Sequence, residues 1–162
     1  MFSNTTIAFI GSGAMAEAMI AGLISQKLID PQSIIASGPR AERGEDLKEK
    51  YGIRVTADNR QAIDGAGVVV LSVKPQILPQ VMPELKGHIP PGELVLSIIA
   101  GARIDTIAQG LLHTGIVRSM PNTPAQIGQG ITVWTASADV TEPQRKQAEA
   151  ILGACGQQVY VA

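Results

Sequence analysis

An α/β fold, a mostly parallel β-sheet covered by helices, is what this 162-residue sequence predicts, and three observations carry the prediction. Short runs rich in β-branched and aliphatic residues recur from one end of the chain to the other, each of strand length. Between most of them lie segments with helical spacing and recognisable ends. One run, Gly67 to Val73 (GVVVLSV), is apolar with almost no alternation, the mark of a strand buried on both faces between two helical layers.

In chain order, Thr6 to Ile10 is the first strand, and Met15, Met19, Gly22 and Leu23 then share one face at helical spacing. Ser33 to Ala36 reads as the second strand. Residues 41–52 (AERGEDLKEKYG) form a helix that stops at Gly52, the residue type that turns left-handed at least cost. Residues 58–66 (DNRQAIDGA) start a helix with Asp58 as N-cap. Strands follow at Val68 to Val73, Leu94 to Ile98, Gly115 to Arg118 and Ile131 to Trp134. A helix capped by Thr141, with Pro143 in its first turn, leads to a last strand at Gln158 to Val161. No composition shift, linker or solenoid-length repeat interrupts the alternation, so residues 1–162 are expected to be one α/β domain.

The composition limits what such a domain does. A chain of this length buries roughly 70% of the surface it would expose unfolded. Hydrophobic residues make up 45% of it and aromatic ones only 3%, so the core is built from Ala, Val, Ile, Leu and Met. The net charge is −1 with scattered Lys and Arg, which leaves no basic stripe for a nucleic-acid backbone. Cys155 is the only cysteine, which excludes an internal disulfide or thiolate metal site and fits a reducing cytoplasm; near a helix end it reads as a small buried residue. His88 and His113 stand apart from other metal-ligating types and read as loop or surface residues. The start, MFSNTT, lacks the positive region of a signal peptide, and no apolar run reaches the ~20 residues of a membrane span, so no membrane partner is expected.

The chemistry concentrates where strands end. After Ile10 comes Gly11-Ser12-Gly13-Ala14-Met15-Ala16: Gly11 makes the tight turn, Gly13 lets the backbone approach a pyrophosphate, and Ala16 lets the helix pack closely on the strand. The helix then points unpaired N–H groups and its positive dipole end at the phosphates. A plain strand-to-helix turn would also use small residues here. After the second strand (IIASGPRAE) no acid stands until Glu42, whereas Ser37 and Arg40 suit a 2′-phosphate, which favours NADP over NAD. The alternative is a turn serine and a solvated arginine. Lys74 and Pro75 end the buried strand, where the lysine is either a cofactor contact or an ordinary strand-end charge. Ala100 and Gly101 offer almost bare backbone, for a ligand or for a turn. In RSMPNTPAQIGQG two prolines bracket Asn122 and Thr123, which either holds a loop rigid against a ring or makes an Asx turn.

Taken together and in this order, IAFIGSGAMAEAMIAGL, SVKPQ, SIIAG and RSMPNTPAQIGQG resemble the amino-terminal domain of pyrroline-5-carboxylate reductases, over essentially the whole chain. The Met-Pro-Asn-Thr-Pro run is the most specific part. The resemblance implies a Rossmann-type, doubly wound sheet of about eight strands, like that of 6-phosphogluconate dehydrogenase, and use of NADPH, with NADH possible. It places Gly11 to Ala16 on the pyrophosphate, Ser37 by the adenosine ribose or its phosphate, and Asn59 on the adenosine side, a residue that spacing alone does not pick out. Val73, Lys74, Pro75, Ala100 and Gly101 would line the middle of the cofactor, and Met120, Pro121, Asn122 and Thr123 would approach the nicotinamide.

Family members continue into a helical domain with the dimer interface and the pocket for 1-pyrroline-5-carboxylate, and nothing in this sequence corresponds to it. The chain is therefore expected to bind NADPH without turnover, the full-length enzyme to be a homo-oligomer, and no residue here is assigned as catalytic. Two other readings compete: another oxidoreductase of the superfamily, such as a β-hydroxyacid dehydrogenase, and a non-catalytic dinucleotide sensor. The sensor would lack a large exposed apolar patch, and a cofactor domain would show one near the final strand.

Overall fold

The four apolar residues of β1 (Ile7–Ile10) are buried completely, and the sheet grows outward from them on both sides. The computed structural model describes residues 2–121, 130–154 and 156–161. After β1 come α1 (Ala14–Ser25), β2 (Ile34–Ser37), α2 (Ala41–Tyr51), β3 (Arg54–Thr56), α3 (Asn59–Ile63), β4 (Val68–Leu71), α4 (Leu78–Leu85), β5 (Leu94–Ser97), α5 (Ile104–Leu111), β6 (Ile116–Pro121), β7 (Gly130–Ala136), α6 (Glu142–Gly153) and β8 (Gly156–Tyr160). The eight strands lie in the order β3-β2-β1-β4-β5-β6-β7-β8.

The first six strands are parallel, β7 runs antiparallel to β6, and β8 is parallel to β7. This is the mostly parallel, doubly wound α/β sheet the sequence predicts. Because β2 and β4 pair with opposite sides of β1, the winding reverses at β1 and β4, and ligands of such sheets bind in the crevice outside the strand ends there.

Strand alternation sends residues to two cores. Ile7 and Phe9 of β1, Val68 and Val70 of β4 and Leu94 and Leu96 of β5 pack in one, with Met19 and Leu23 of α1 and Ile151 of α6. Ala8, Ile10, Val69, Leu71 and Val95 pack in the other, with Val81 of α4 and Ile107 of α5. Burying one such Val, Leu or Ile side chain stabilises the fold by about 1.5–3 kcal/mol, so two faces of this kind supply its stability without a disulfide.

The helix ends expected from sequence form. Gly52 closes α2 in the left-handed region, Asp58 accepts from the N–H groups of Arg60 and Gln61 at the head of α3, and Thr141 and Gln144 make a reciprocal capping box on α6. Three features differ from the reading. β3 has only three residues, lies at the sheet edge and falls outside the seven apolar runs, so the strand count of the resemblance, not of the periodicity, is the one observed. α4 starts with Pro79 in its first turn and forms despite Pro83 in its interior, because Leu78, Val81 and Leu85 are buried on one face. His113 lies in the loop between α5 and β6, as one half of its reading has it, but it is buried, with Nε2 2.7 Å from the Glu93 carbonyl oxygen. Beside β6 and β8, Met120, Val159, Tyr160 and Val161 expose apolar surface.

Candidate functional site

Parallel pairing brings the carboxyl ends of β1, β2, β4, β5 and β6 to one edge, and with them the sequence-singled segments beginning at Gly11, Ser37, Val73, Ala100 and Met120. The turn from β1 to α1 sits at its centre. Gly11 has φ +106°, and a Cβ on it would stand 2.8 Å from the Ser72 and Val73 backbone. Its N–H donates to the Ser37 carbonyl (3.1 Å), tying the turn to β2, while the hydroxyl of Ser72, just after β4, shares its one proton between the carbonyls of Gly11 (2.9 Å) and Ile10 (3.1 Å).

Gly13 is the N-cap of α1, no side chain caps the helix, and a Cβ there would meet nothing within 4 Å. The space beside Gly13 at the head of α1 is therefore open. Ala16, one turn in, is fully buried in the core beneath. Ser12 and Ala14 flank Gly13, and Met15 is half-buried against the core.

At the end of β2, Ser37 is completely buried; its hydroxyl stands 2.6 Å from Asn59 Oδ1, to which it donates, and 3.4 Å from the Phe9 carbonyl oxygen. With that proton engaged, Ser37 reaches the edge through Asn59, whose Nδ2 donates to Glu84 (3.0 Å). Arg40, the N-cap of α2, is exposed and lines a cleft with Ser12, Gly38, Thr56 and Ala57 whose floor is Ala36, Leu47 and Val55.

On the other side of the turn Val73 is half-buried against the second core, and Lys74 and Pro75 are exposed, their carbonyls accepting from the N–H groups of Ile77 and Leu78. Ala100 and Gly101 are exposed; Gly101 has φ +75° with nothing within 4 Å of a Cβ. Met120 is 48% exposed, and Pro121 ends β6. Asn122, Thr123 and Cys155 lie outside the described residues.

Sequence reasoning missed three residues that shape the turn from behind. Arg43 of α2 donates from Nε to the Ser12 carbonyl (2.7 Å) and from a terminal nitrogen to the Gly13 carbonyl (3.3 Å). Glu17 of α1 pairs with Arg43 at 2.7 Å and also accepts from the Tyr51 hydroxyl (2.7 Å) and Lys50 (3.1 Å). The Tyr51 hydrogen bond, followed by those from Arg43 and Lys50, lowers the Glu17 carboxyl to about 2 against the opposing effect of burial. Burial and then the Glu17 contact push the Tyr51 phenol up. Ser72 is the third, and the serine in the quoted SVKPQ stretch was its visible signal. Among the described residues no cluster of three or more His, Cys, Asp or Glu could hold a metal, and no helix is long and apolar enough to cross a membrane.

Sheet order, winding reversal and a glycine turn at the reversal define a Rossmann-type α/β domain. Residues 6–101 match the model of the family described as NADP oxidoreductase, coenzyme F420-dependent, and the chain belongs to that family. It is 40% identical over 155 residues to pyrroline-5-carboxylate reductase of Synechocystis sp., covering 96% of this chain and 58% of that protein. With pyrroline-5-carboxylate reductase 1 of Bacillus subtilis the identity is 36% over 159 residues, 97% of this chain and 54% of the relative. The solved structure of a pyrroline-5-carboxylate reductase from Coxiella burnetii superposes with a TM-score of 0.93 at 36% identity, covering 98% of this chain and 59% of that one. The resemblance read from the sequence thus stands, and the chain spans little more than half the length of the relatives it matches.

Proposed function

We propose that this chain is the cofactor-holding domain of a pyrroline-5-carboxylate reductase, which reduces the C=N bond of 1-pyrroline-5-carboxylate to give L-proline, with NADPH preferred and NADH accepted. The observation that carries the reading is the β1–α1 turn, where Gly11 is pressed against the end of β4 while the backbone at Gly13 faces open space. That open, uncapped helix start at the winding reversal fits a pyrophosphate. The relatives' names support the reaction, and the family description supports NADP.

In this reading the N–H groups of residues 12–16 hold the pyrophosphate. The Arg40 guanidinium neutralises the 2′-phosphate, and Ser37 positions Asn59 on the adenosine side. Val73, Lys74 and Pro75, with Ala100 and Gly101, flank the middle of the cofactor, and Met120 to Thr123 flank its nicotinamide end. Bound NADPH supplies the hydride. What the chain contributes is position and exclusion of water. The substrate carboxylate pocket, the donor to the imine nitrogen and the contact that makes the enzyme a homo-oligomer are assigned to the part of the relatives that this chain does not match, and the reaction to the cytoplasm.

An amide-resolved NMR titration with NADPH tests the site. Shifts are expected at Gly11 to Ala16, Arg40, Asn59, Lys74 and Gly101. Shifts confined to the opposite edge of the sheet, or none at millimolar NADPH, would remove the assignment.

A further inference from the structure

Resting on the cofactor-domain reading, we infer that Arg43, held by Glu17, is the positioning residue that aims the glycine turn at a dinucleotide pyrophosphate. A trans peptide fixes C=O and N–H in opposite directions, so gripping a carbonyl from one side sets where the next residue's N–H points. Arg43 grips the Ser12 and Gly13 carbonyls and thereby orients the N–H groups of Gly13 and Ala14. The Ser72 hydroxyl on the Gly11 carbonyl does the same for the N–H of Ser12. The N–H groups of Ser12 and Gly13 are thus set by side chains from outside the turn, and that of Ala14 by Arg43 together with the Glu17 N–H, which donates to the same Gly13 carbonyl (3.0 Å).

The grip is specific in its chemistry. A guanidinium carries several donors in one rigid fork, which here spans two carbonyls and still pairs with a carboxylate. Glu17 fixes the fork at 2.7 Å and is itself fixed by Tyr51 and Lys50 near the far end of α2. Arg43, Leu47, Lys50 and Tyr51 fall on one face of α2 by their three- and four-residue spacing, with Leu47 buried beneath. A register shift of α2 against α1 would therefore misdirect the turn. Arg40, the N-cap residue of the same helix, lines the cleft beside Ser12, so one element carries both the proposed direct contact and the positioning contact.

The test uses Arg43→Ala and Arg43→Lys in the 162-residue chain, with Lys48→Ala as control. Kd for NADPH and for NADH is expected to rise by the same factor, tenfold or more, in Arg43→Ala, because the pyrophosphate is common to both. Arg43→Lys, which retains charge but not the fork, should recover only part, and Lys48→Ala, at an exposed position of the same helix, should bind as the parent does. Without nucleotide, hydrogen exchange at Ser12 to Met15 should speed up in Arg43→Ala while the core strands keep their protection. Unchanged exchange in the turn, or a uniform loss of protection throughout the chain, would overturn the inference. If the parent chain binds neither nucleotide, the cofactor reading fails, and the exchange measurement still decides whether Arg43 orders the turn.

Discussion

At Gly11 any side chain would collide with the end of β4 and hold a left-handed φ, whereas at Gly13 a Cβ would enter empty space with an ordinary backbone conformation. Two residues of one motif therefore fail differently when replaced. Gly11→Ala should destabilise the fold by at least about 1–3 kcal/mol, the cost of a disallowed backbone alone. Gly13→Val should cost about 1 kcal/mol as a poorer N-cap, seen as a small drop in Tm, yet abolish binding of both nucleotides by filling the space over the turn. Retained NADPH affinity in Gly13→Val would return the motif to a plain turn. Arg40→Ala should weaken NADPH by about 1.5–3 kcal/mol, the worth of a hydrogen bond to a charged group, and spare NADH; titrating both nucleotides separates this from Arg43, whose loss affects both. The folded Glu17 carboxyl sits near 2 against 4.5 for the free group, so its contribution is fully present above pH 4.5 and lost as pH falls toward 2. Glu17→Gln should thus lower Tm by a constant amount at pH 5 to 7, with the gap to the parent closing in acid. The glycines were legible in the sequence because they are contiguous and follow an apolar strand. Arg43 was not, since it sits 30 or more residues from the carbonyls it holds and reads locally as an ordinary charged helix residue.

Helix ends were the most legible elements, because capping is written in a few adjacent residues. Thr141→Ala removes one half of the α6 capping box and should cost about 1 kcal/mol, or about 2–4 °C in Tm for a chain of this size. A Thr141→Ala Tm equal to the parent's would show that packing alone holds that end. Elements whose reason is tertiary were harder to read. β3 has an exposed arginine in three residues and forms because β2 offers it an open edge. Pro79 falls in the first turn of α4, where proline is tolerated, but Pro83 inside the helix argues against it, and burial of Leu78, Val81 and Leu85 outweighs that propensity cost. Observed strand ends differ from the sequence reading by a few residues. β4 stops at Leu71, before the Ser72 hydroxyl turns to the carbonyls of Ile10 and Gly11. The antiparallel turn-back of β7 carries no local mark: its residues are as apolar as those of a parallel strand, and direction is decided by the connection.

For the molecule as a whole, the topology brings scattered segments together. Gly11, Ser37, Lys74, Gly101 and Met120 are far apart in sequence, and they share an edge because every strand that precedes them runs the same way. Alternation of strand and helix was enough to expect that arrangement, and the quoted motifs were enough to name the relatives. What the residues alone did not supply was the adenosine-side role proposed for Asn59, which came from the family resemblance, and its hydrogen bonds with buried Ser37 and with Glu84, which only the structure shows. The central claim is that this 162-residue chain is a dinucleotide-holding domain. Calorimetric titration with NADPH and with NADH, followed by a turnover assay with 1-pyrroline-5-carboxylate on the same sample, tests it most directly. The expected result is binding that favours NADPH, with no proline formed. Failure of both nucleotides to bind at millimolar concentration would contradict the claim.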